Sequence, residues 1–194
     1  MITRARDSGT GAFVSSGQIT MKLRLLSIAA VAFAGLAGSA AAQSSSATLI
    51  GPFKDWNAFT TTSADGKMCF IATQPTDSKY SQPASGREPA FFQITRIPSK
   101  GVVNEASSIS GYTFAANADV TIDVDGTKFK MFLDASHPDT AWSVAETEAA
   151  LVDAMKKGHV MTMTGTSKRN TVIIDTYSLS GISAALDAAS KECP

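Results

Sequence analysis

The sequence predicts a mainly β protein, an antiparallel β-sandwich with two short helices. One stretch alternates apolar and polar residues on both sides of an Asp-Gly pair. Several other short stretches have the length and composition of strands, and only two have helix start and stop signals. Many short strands with few helices bury their apolar faces by packing as two layers.

The clearest element is a hairpin over residues 119–133, DVTIDVDGTKFKMFL. Apolar residues alternate with polar ones before and after Asp125-Gly126. Period-two alternation around such a pair is the strongest short-range signal of a hairpin. The aspartates of this stretch lack the spacing and the distal glutamate of a calcium loop, so we expect no calcium site here.

Six further strands are predicted, and the last two form a second hairpin. Its turn is GTSKRNT, residues 165–171. The segment 74–89 is rich in Pro, Ser and Gly, which predicts a long surface loop. The six strands are predicted at 56–61, 68–74, 91–97, 103–110, 160–166 and 171–177.

Two helices are predicted in the second half of the chain. The first is expected to begin at Ser143, whose hydroxyl caps the helix while Glu146 returns the bond. Gly158 suits its end. The second helix is predicted over 181–190, with Ser180 as its cap.

Residues 21–42 have the three-part layout of a secretory signal peptide. Two cations are followed by an apolar run from Leu25 and by small residues that end in an A-x-A arrangement at Ala42. We expect cleavage after Ala42, which leaves a single domain over 43–194. An uncleaved membrane anchor is the alternative, because the apolar run is nearly long enough to span a bilayer. Residues 1–20 are expected to be a start-codon extension.

The charge of the mature chain excludes one class of function. The full sequence has 17 basic and 17 acidic residues, and removal of residues 1–42 leaves 13 and 16, a net charge of about −3. A nucleic-acid-binding domain carries a basic face, so we expect no nucleic-acid partner. We also expect no transmembrane segment after signal cleavage, since no second long apolar run follows.

The chain has two cysteines, Cys69 in a predicted strand and Cys193 beside the C-terminus. An exported protein meets an oxidising environment, in which two cysteines pair by default. A reactive thiol is the rival interpretation, but the sequence has no C-x-x-C motif. We predict a Cys69–Cys193 disulfide. The two histidines, His137 and His159, are not at metal-ligand spacing from the cysteines, so we expect no metal and no cofactor.

The motifs of an enzyme are missing from the sequence. There is no G-x-S-x-G nucleophile elbow and no Gly-rich phosphate loop, so we predict no catalytic residues. A carbohydrate- or small-ligand-binding module stays open, because Trp56 and Trp142 are able to stack on a sugar ring. A solvent-exposed tryptophan beside polar residues would favour that module. Two buried tryptophans together with a flat apolar or charged patch would favour a protein-interaction domain.

Four segments carry a resemblance to a known family. They are FKDW at 53–56, GKMCFIATQP at 66–75, ALVDAMKKG at 150–158 and TYSLSGISAAL at 176–186. In this order, behind a signal peptide, they resemble the invasion-associated locus B family of exported Gram-negative bacterial proteins. The resemblance implies an immunoglobulin-like β-sandwich that is periplasmic, outer-membrane-associated or secreted. It also implies a role in host-cell entry and brings no catalytic residues.

The partner is expected to be an envelope or host-surface protein. Loops on a rigid sandwich commonly carry recognition, so we expect 74–89 and 165–171 to bind it. The basic tip Lys168-Arg169 is the candidate interaction surface, and a solvated hairpin turn is the alternative interpretation of these two residues.

Overall fold

The computed structural model describes residues 46–83 and 85–194. They form eleven strands, two α-helices and one short 3-10 helix at Pro98–Lys100. None of the helices in these ranges is long and apolar enough to cross a membrane. The strands are β1 (Thr48–Phe53), β2 (Trp56–Ser63), β3 (Gly66–Thr73), β4 (Asp77–Tyr80), β5 (Phe91–Ile97), β6 (Val102–Ile109), β7 (Val120–Val124), β8 (Thr127–Leu133), β9 (Thr140–Ser143), β10 (Val160–Thr166) and β11 (Val172–Ser178); the helices are α1 (Ala145–Lys157) and α2 (Ile182–Glu192).

All eleven strands belong to one antiparallel sheet, in the order β1-β2-β3-β5-β6-β9-β8-β7-β10-β11-β4. The prediction of a mainly β, antiparallel fold with two short helices is confirmed. In an immunoglobulin-like sandwich two separate sheets pack face to face. Here one continuous sheet supplies both layers.

Contacts between distant strands show that the sheet folds over on itself. Trp56 on β2 donates a hydrogen bond from Nε1 to the carbonyl of Ser178 on β11, 3.0 Å away. The ring of Phe92 on β5 lies 5.8 Å from that of Tyr177 on β11. Strands so far apart in the sheet order meet only if the inner faces of its two halves pack together.

The core follows from period-two alternation, which places every second residue on the inner face. Asp175 of β11 is buried on this face, and so are the apolar side chains of Met161 and Met163 of β10 and of Ile173 and Tyr177 of β11. The residues that alternate with them are more exposed. Burial of one such apolar side chain stabilises the fold by about 1.5–3 kcal/mol. Both predicted hairpins, 119–133 and 165–171 with its flanking strands, are confirmed.

Helix α2 lies against β1, β2 and β3, and the predicted disulfide holds its end in place. Cys69 on β3 is bonded to Cys193, with the two Cα atoms 6.0 Å apart, within the usual range for a disulfide. Arg96 also fixes this end, because its Nε donates to the carbonyl of Cys193 at 2.7 Å.

The predicted start of the first helix was wrong. Ser143 is the last residue of β9, and Val144 stands at the helix start without a side-chain capping bond. The Ser143 hydroxyl donates to Glu148 at 2.6 Å and accepts from the backbone N–H of Ala106 at 3.1 Å. The hydroxyl is used in a tertiary contact between β6 and α1, so it does not cap the helix.

The predicted cap of the second helix was also wrong. Helix α2 begins at Ile182, after Gly181 in the left-handed conformation with φ 96°, and no side chain caps it. Ser180 instead accepts a backbone hydrogen bond at its carbonyl from Asp55, 3.3 Å away. The position of Ser180 is therefore set by this hydrogen bond with the residue before β2, and its side chain does not cap the helix.

Three strands were not predicted: β1, β4 and β9. The second of these lies within 74–89, so the prediction of one long loop there was wrong. Its sequence DSKY has no apolar alternation, and it is a strand because it pairs with β11, Ser78 opposite Asp175. Such pairing partners are distant in sequence and leave no local signal.

Candidate functional site

A cleft of about 280 Å³ lies where the two predicted recognition loops meet. Residues of the 74–89 segment form one wall and the β10–β11 turn forms another. We call it the basic cleft, because its described lining residues include Arg87, Lys168 and Arg169 and no carboxylate. The described lining residues are Tyr80, Pro83, Ser85, Gly86, Arg87, Gly111, Tyr112, Thr113, Ser167, Lys168, Arg169, Thr171 and Ile173.

The turn that carries Lys168 and Arg169 is held by its own hydrogen bonds. Ser167 Oγ accepts from the backbone N–H groups of Arg169 and Thr171, both at 3.3 Å. Asn170 adopts the left-handed conformation, with φ 60°, which asparagine tolerates better than most residues. The backbone N–H of Lys168 donates to the carbonyl of Thr113 at 2.9 Å. The turn is therefore fixed while its two basic side chains are exposed.

The opposite wall is anchored by a buried ion pair between Arg87 and Asp175. Two guanidinium nitrogens of Arg87 donate to the two carboxylate oxygens of Asp175, at 2.7 and 2.6 Å. The Asp175 side chain is fully buried, and that of Arg87 is 14% exposed. Ser78 Oγ donates to the same carboxylate at 2.7 Å. This bidentate geometry is the strong form of an arginine–carboxylate pair.

Further contacts fix the guanidinium of Arg87. Its Nε donates to the carbonyl of Ser110 at 2.8 Å, and Nη1 lies 3.3 Å from the hydroxyl of Tyr80. Its Cζ sits 5.3 Å from the ring centroid of Tyr112, a cation–π contact. Burial opposes its charge, but the hydrogen bonds to Asp175 and Tyr80 outweigh burial and raise the pKa of Arg87.

The segment that carries Arg87 approaches the body of the protein closely at Gly111. The N–H of Glu88 donates to the Gly111 carbonyl at 3.0 Å. Gly111 has φ 72°, and a side chain there would collide with the Glu88 backbone. Glycine is therefore required for this close approach, and the approach brings Arg87 within reach of Asp175.

Tyr112 forms part of the floor of the cleft. Its ring lies 5.0 Å from that of Phe114, edge to face. Its hydroxyl lies over Gly165, where an added Cβ would be only 2.7 Å away. Burial raises the pKa of Tyr112, so the phenol is neutral at physiological pH.

The two exposed cations of the turn have no ionic partner among the described residues of the cleft. In residues 46–83 and 85–194, neither Lys168 nor Arg169 forms a salt bridge. Arg87 is neutralised by Asp175, so the uncompensated positive charge of the cleft comes from the turn. The geometry suits the binding of an anionic group at the rim and an aromatic or apolar group beside Tyr80 and Pro83.

The histidines lie elsewhere. His137 is exposed and its Nδ1 is 3.0 Å from Ser136 Oγ. His159 has a side chain that is 91% exposed, with Nδ1 3.6 Å from Asp125. Within the described part of the chain, no group of three or more His, Cys, Asp or Glu side chains is arranged to hold a metal ion.

The two tryptophans differ in exposure. Trp56 is fully buried in the core. Trp142 is half-buried, with the ring of Phe132 stacked 5.8 Å away and His137 at its edge, 5.5 Å away. Phe132 itself is 48% exposed. The structure therefore has one core tryptophan and one that belongs to a partly exposed aromatic cluster, Phe132–Trp142–His137.

A family model, Invasion associated locus B (IalB) protein, matches residues 56–190. The chain belongs to the invasion associated locus B family. The match covers most of the described strands and both loops of the basic cleft, so the resemblance seen in the sequence is confirmed. No curated protein matches the chain.

The fold of this IalB-family protein is found in a solved relative. It matches the crystal structure of invasion associated protein B from Bartonella henselae, with a TM-score of 0.52 and 12% identity. The match covers 76% of this chain and 99% of that one. At this identity the likeness shows the fold alone.

Sequence reasoning found two of the cleft's cations and missed its anchor. The basic turn between two strands predicts Lys168 and Arg169 as interaction residues, and both lie at the rim of the cleft. Arg87 and Asp175 were not singled out. One signal was present for Asp175, since it occupies an inward position of an alternating strand, where a carboxylate requires a buried partner.

Proposed function

We propose that this chain is an exported, non-catalytic envelope protein that binds a partner protein through the basic cleft. The observation that carries the proposal is the meeting of the 74–89 segment and the β10–β11 turn around one cleft, with Lys168 and Arg169 exposed at its rim. Both walls are held by hydrogen bonds and by a buried ion pair, so the surface is preorganised, which lowers the entropic cost of binding.

Export is supported by the disulfide and by the leader. A disulfide between Cys69 and Cys193 is typical of proteins that fold outside the cytoplasm. The layout of residues 21–42 is that of a signal peptide, so the mature domain would be 43–194. We infer a periplasmic, outer-membrane-associated or secreted location for it.

A role in host-cell association is the finer form of the proposal. It is supported by the names of the family and of the Bartonella protein, both of which refer to invasion. The partner would then be an envelope protein or a host-surface protein. The non-catalytic part of the proposal is supported by the separation of the histidines from the cleft.

The proposal is tested by reversing the charge of the turn. The variant K168E/R169E of the mature domain should retain its thermal midpoint, because both side chains are exposed, and should lose capture of a partner from envelope extracts. The matched control is K128E/K130E, which makes the same change of charge at exposed positions of β8. Equal capture by the wild type and both variants would overturn the proposal.

A second candidate function is carbohydrate binding at the Phe132–Trp142–His137 cluster. It is favoured by the exposure of Phe132 and by its stacking on Trp142, because aromatic faces bind sugar rings. The support is weaker than for the basic cleft, since Phe132 and His137 already occupy part of the surface of Trp142.

This candidate is tested with cell-wall oligosaccharides and tryptophan fluorescence. Binding at the cluster should shift the emission of Trp142, and F132A should abolish the shift. W56F removes the buried core tryptophan, leaves the cluster unchanged and serves as the control. No shift with the wild type at saturating saccharide would eliminate this function.

A further inference from the structure

The basic cleft carries positive charge that the described fold does not compensate. Lys168 and Arg169 lie on a hydrogen-bonded turn, and none of the lining residues that the structure describes is a carboxylate. The mature chain as a whole is net acidic, at about −3. A local cationic cleft on an acidic protein attracts negatively charged partners to that site and repels them from the rest of the surface.

Strand β4 leads directly into the cleft. It stands at the end of the strand order, so one of its edges has no neighbouring strand within the described residues. Its last residue, Tyr80, is 41% exposed and lines the cleft. The free edge of a strand offers backbone donors and acceptors to an added strand. The regular spacing of these groups along the strand matches the backbone of an extended polypeptide, which pairs with them as a ladder.

The two ends of β4 carry side chains of opposite charge. Asp77 lies at the end of β4 that is distant from the cleft, and Lys79 lies near Tyr80. Both side chains are exposed. A segment that lies along β4 would therefore meet its most favourable electrostatic environment if its acidic residues were at the cleft end.

We propose that the partner is recognised through an extended acidic segment that adds to the free edge of β4 and places its carboxylates between Lys168 and Arg169. This deepens the proposed function and rests on it. Arg87 positions the wall of the cleft and remains paired with Asp175, so the exposed cations of the turn provide the attraction. Tyr80 and Pro83 offer a surface for an apolar or aromatic residue that precedes the carboxylates.

The test uses a short fluorescein-labelled peptide that alternates Val and Thr and ends in consecutive glutamates. Fluorescence anisotropy should show binding to the wild-type mature domain at low salt, and added salt should weaken it. K168E/R169E should weaken binding about tenfold or more, since it replaces attraction with repulsion. K128E/K130E should bind like the wild type. A peptide with glutamines in place of the glutamates should not bind.

A second probe separates strand addition from simple charge attraction. The same acidic peptide with N-methylated alternate residues keeps its charge and cannot form a ladder. It should bind about tenfold more weakly than the unmodified peptide if its backbone pairs with β4. Equal binding of the two peptides, or tighter binding of an oligogalacturonate than of the peptide, would overturn the inference.

Different results would contradict the inference about an acidic segment and the proposed function. If K168E/R169E loses the envelope partner while the wild type does not bind the glutamate peptide, the cleft binds a partner that is not acidic and the inference is wrong. If the peptide binds as expected while capture of the envelope partner is unaffected by K168E/R169E, the inference stands and the proposed function is wrong.

Discussion

Replacing Arg87 with methionine removes the cation that neutralises the buried carboxylate of Asp175. The aliphatic part of the side chain is kept, so the change isolates the charge. In the variant, the hydroxyl of Ser78 is the one side-chain donor to Asp175 that remains among the described residues, and the carbonyl of Ser110 loses its contact with Nε. The carboxylate is fully buried, so water cannot replace the lost donors without rearrangement.

Loss of one partner of a buried ion pair costs about 3–5 kcal/mol. The net stability of a domain is about 5–15 kcal/mol, so R87M should remove a large share of it. For a domain of this size each kcal/mol corresponds to about 2–4 °C in the thermal midpoint. We therefore expect the midpoint of R87M to fall by roughly 6–20 °C.

Urea unfolding followed by circular dichroism, with the disulfide intact, measures this change. The double variant R87M/D175N removes both charges and should be more stable than R87M, because no uncompensated charge stays buried. K79M, on the exposed side of β4, is the control and should change the free energy of unfolding by less than about 0.5 kcal/mol. If R87M and K79M have the same free energy of unfolding, the ion pair does not anchor the cleft. The same conclusion follows if the loss of stability in R87M/D175N equals the sum of the losses in R87M and in D175N.

Three further predictions concern stability and processing. Removal of the disulfide in C69A/C193A should lower the free energy of unfolding by up to about 5 kcal/mol on the chain-entropy model, because the bridged residues are 124 positions apart; an unchanged denaturation midpoint would contradict this. Burial and the nearby charge of Glu148 raise the pKa of Glu105, so ionised Glu105 disfavours folding at neutral pH. E105Q should therefore be more stable than the wild type at pH 7, and the difference should vanish as the pH falls below the ordinary range for glutamate; a difference of opposite sign would refute it. Finally, the intact mass of protein from the envelope should correspond to cleavage after Ala42, and a species that retains the leader would disprove this.

The fold was predictable where a local pattern determines the structure. The hairpin around Asp125-Gly126 has its alternation and its turn within fifteen residues, and strands 91–97 and 160–166 occupy the predicted positions. The polar strand β4 and the helix starts depended on distant partners. Ser143 has the composition of a cap, but a backbone N–H of β6 and Glu148 compete successfully for its hydroxyl.

The candidate site also has one part that a local pattern predicts and one part that depends on residues distant in sequence. Lys168 and Arg169 were recognisable because a basic turn between two strands is a local feature. The position of Asp175 on the inner face of β11 predicts that a cationic partner is needed. That this partner is Arg87, 88 residues earlier in the chain, follows from the strand order, which no local pattern specifies.

Site-specific crosslinking shows whether the partner occupies the basic cleft. A photoreactive residue, p-benzoylphenylalanine, replaces Ser85, which lines the cleft without taking part in its ion pair, or Lys128 on β8 as the control. After irradiation in envelope extracts, we expect a protein adduct from position 85 that is lost in the K168E/R169E background, and none from position 128. Adducts from position 128 alone, or adducts from position 85 that persist after charge reversal, would contradict binding in the cleft.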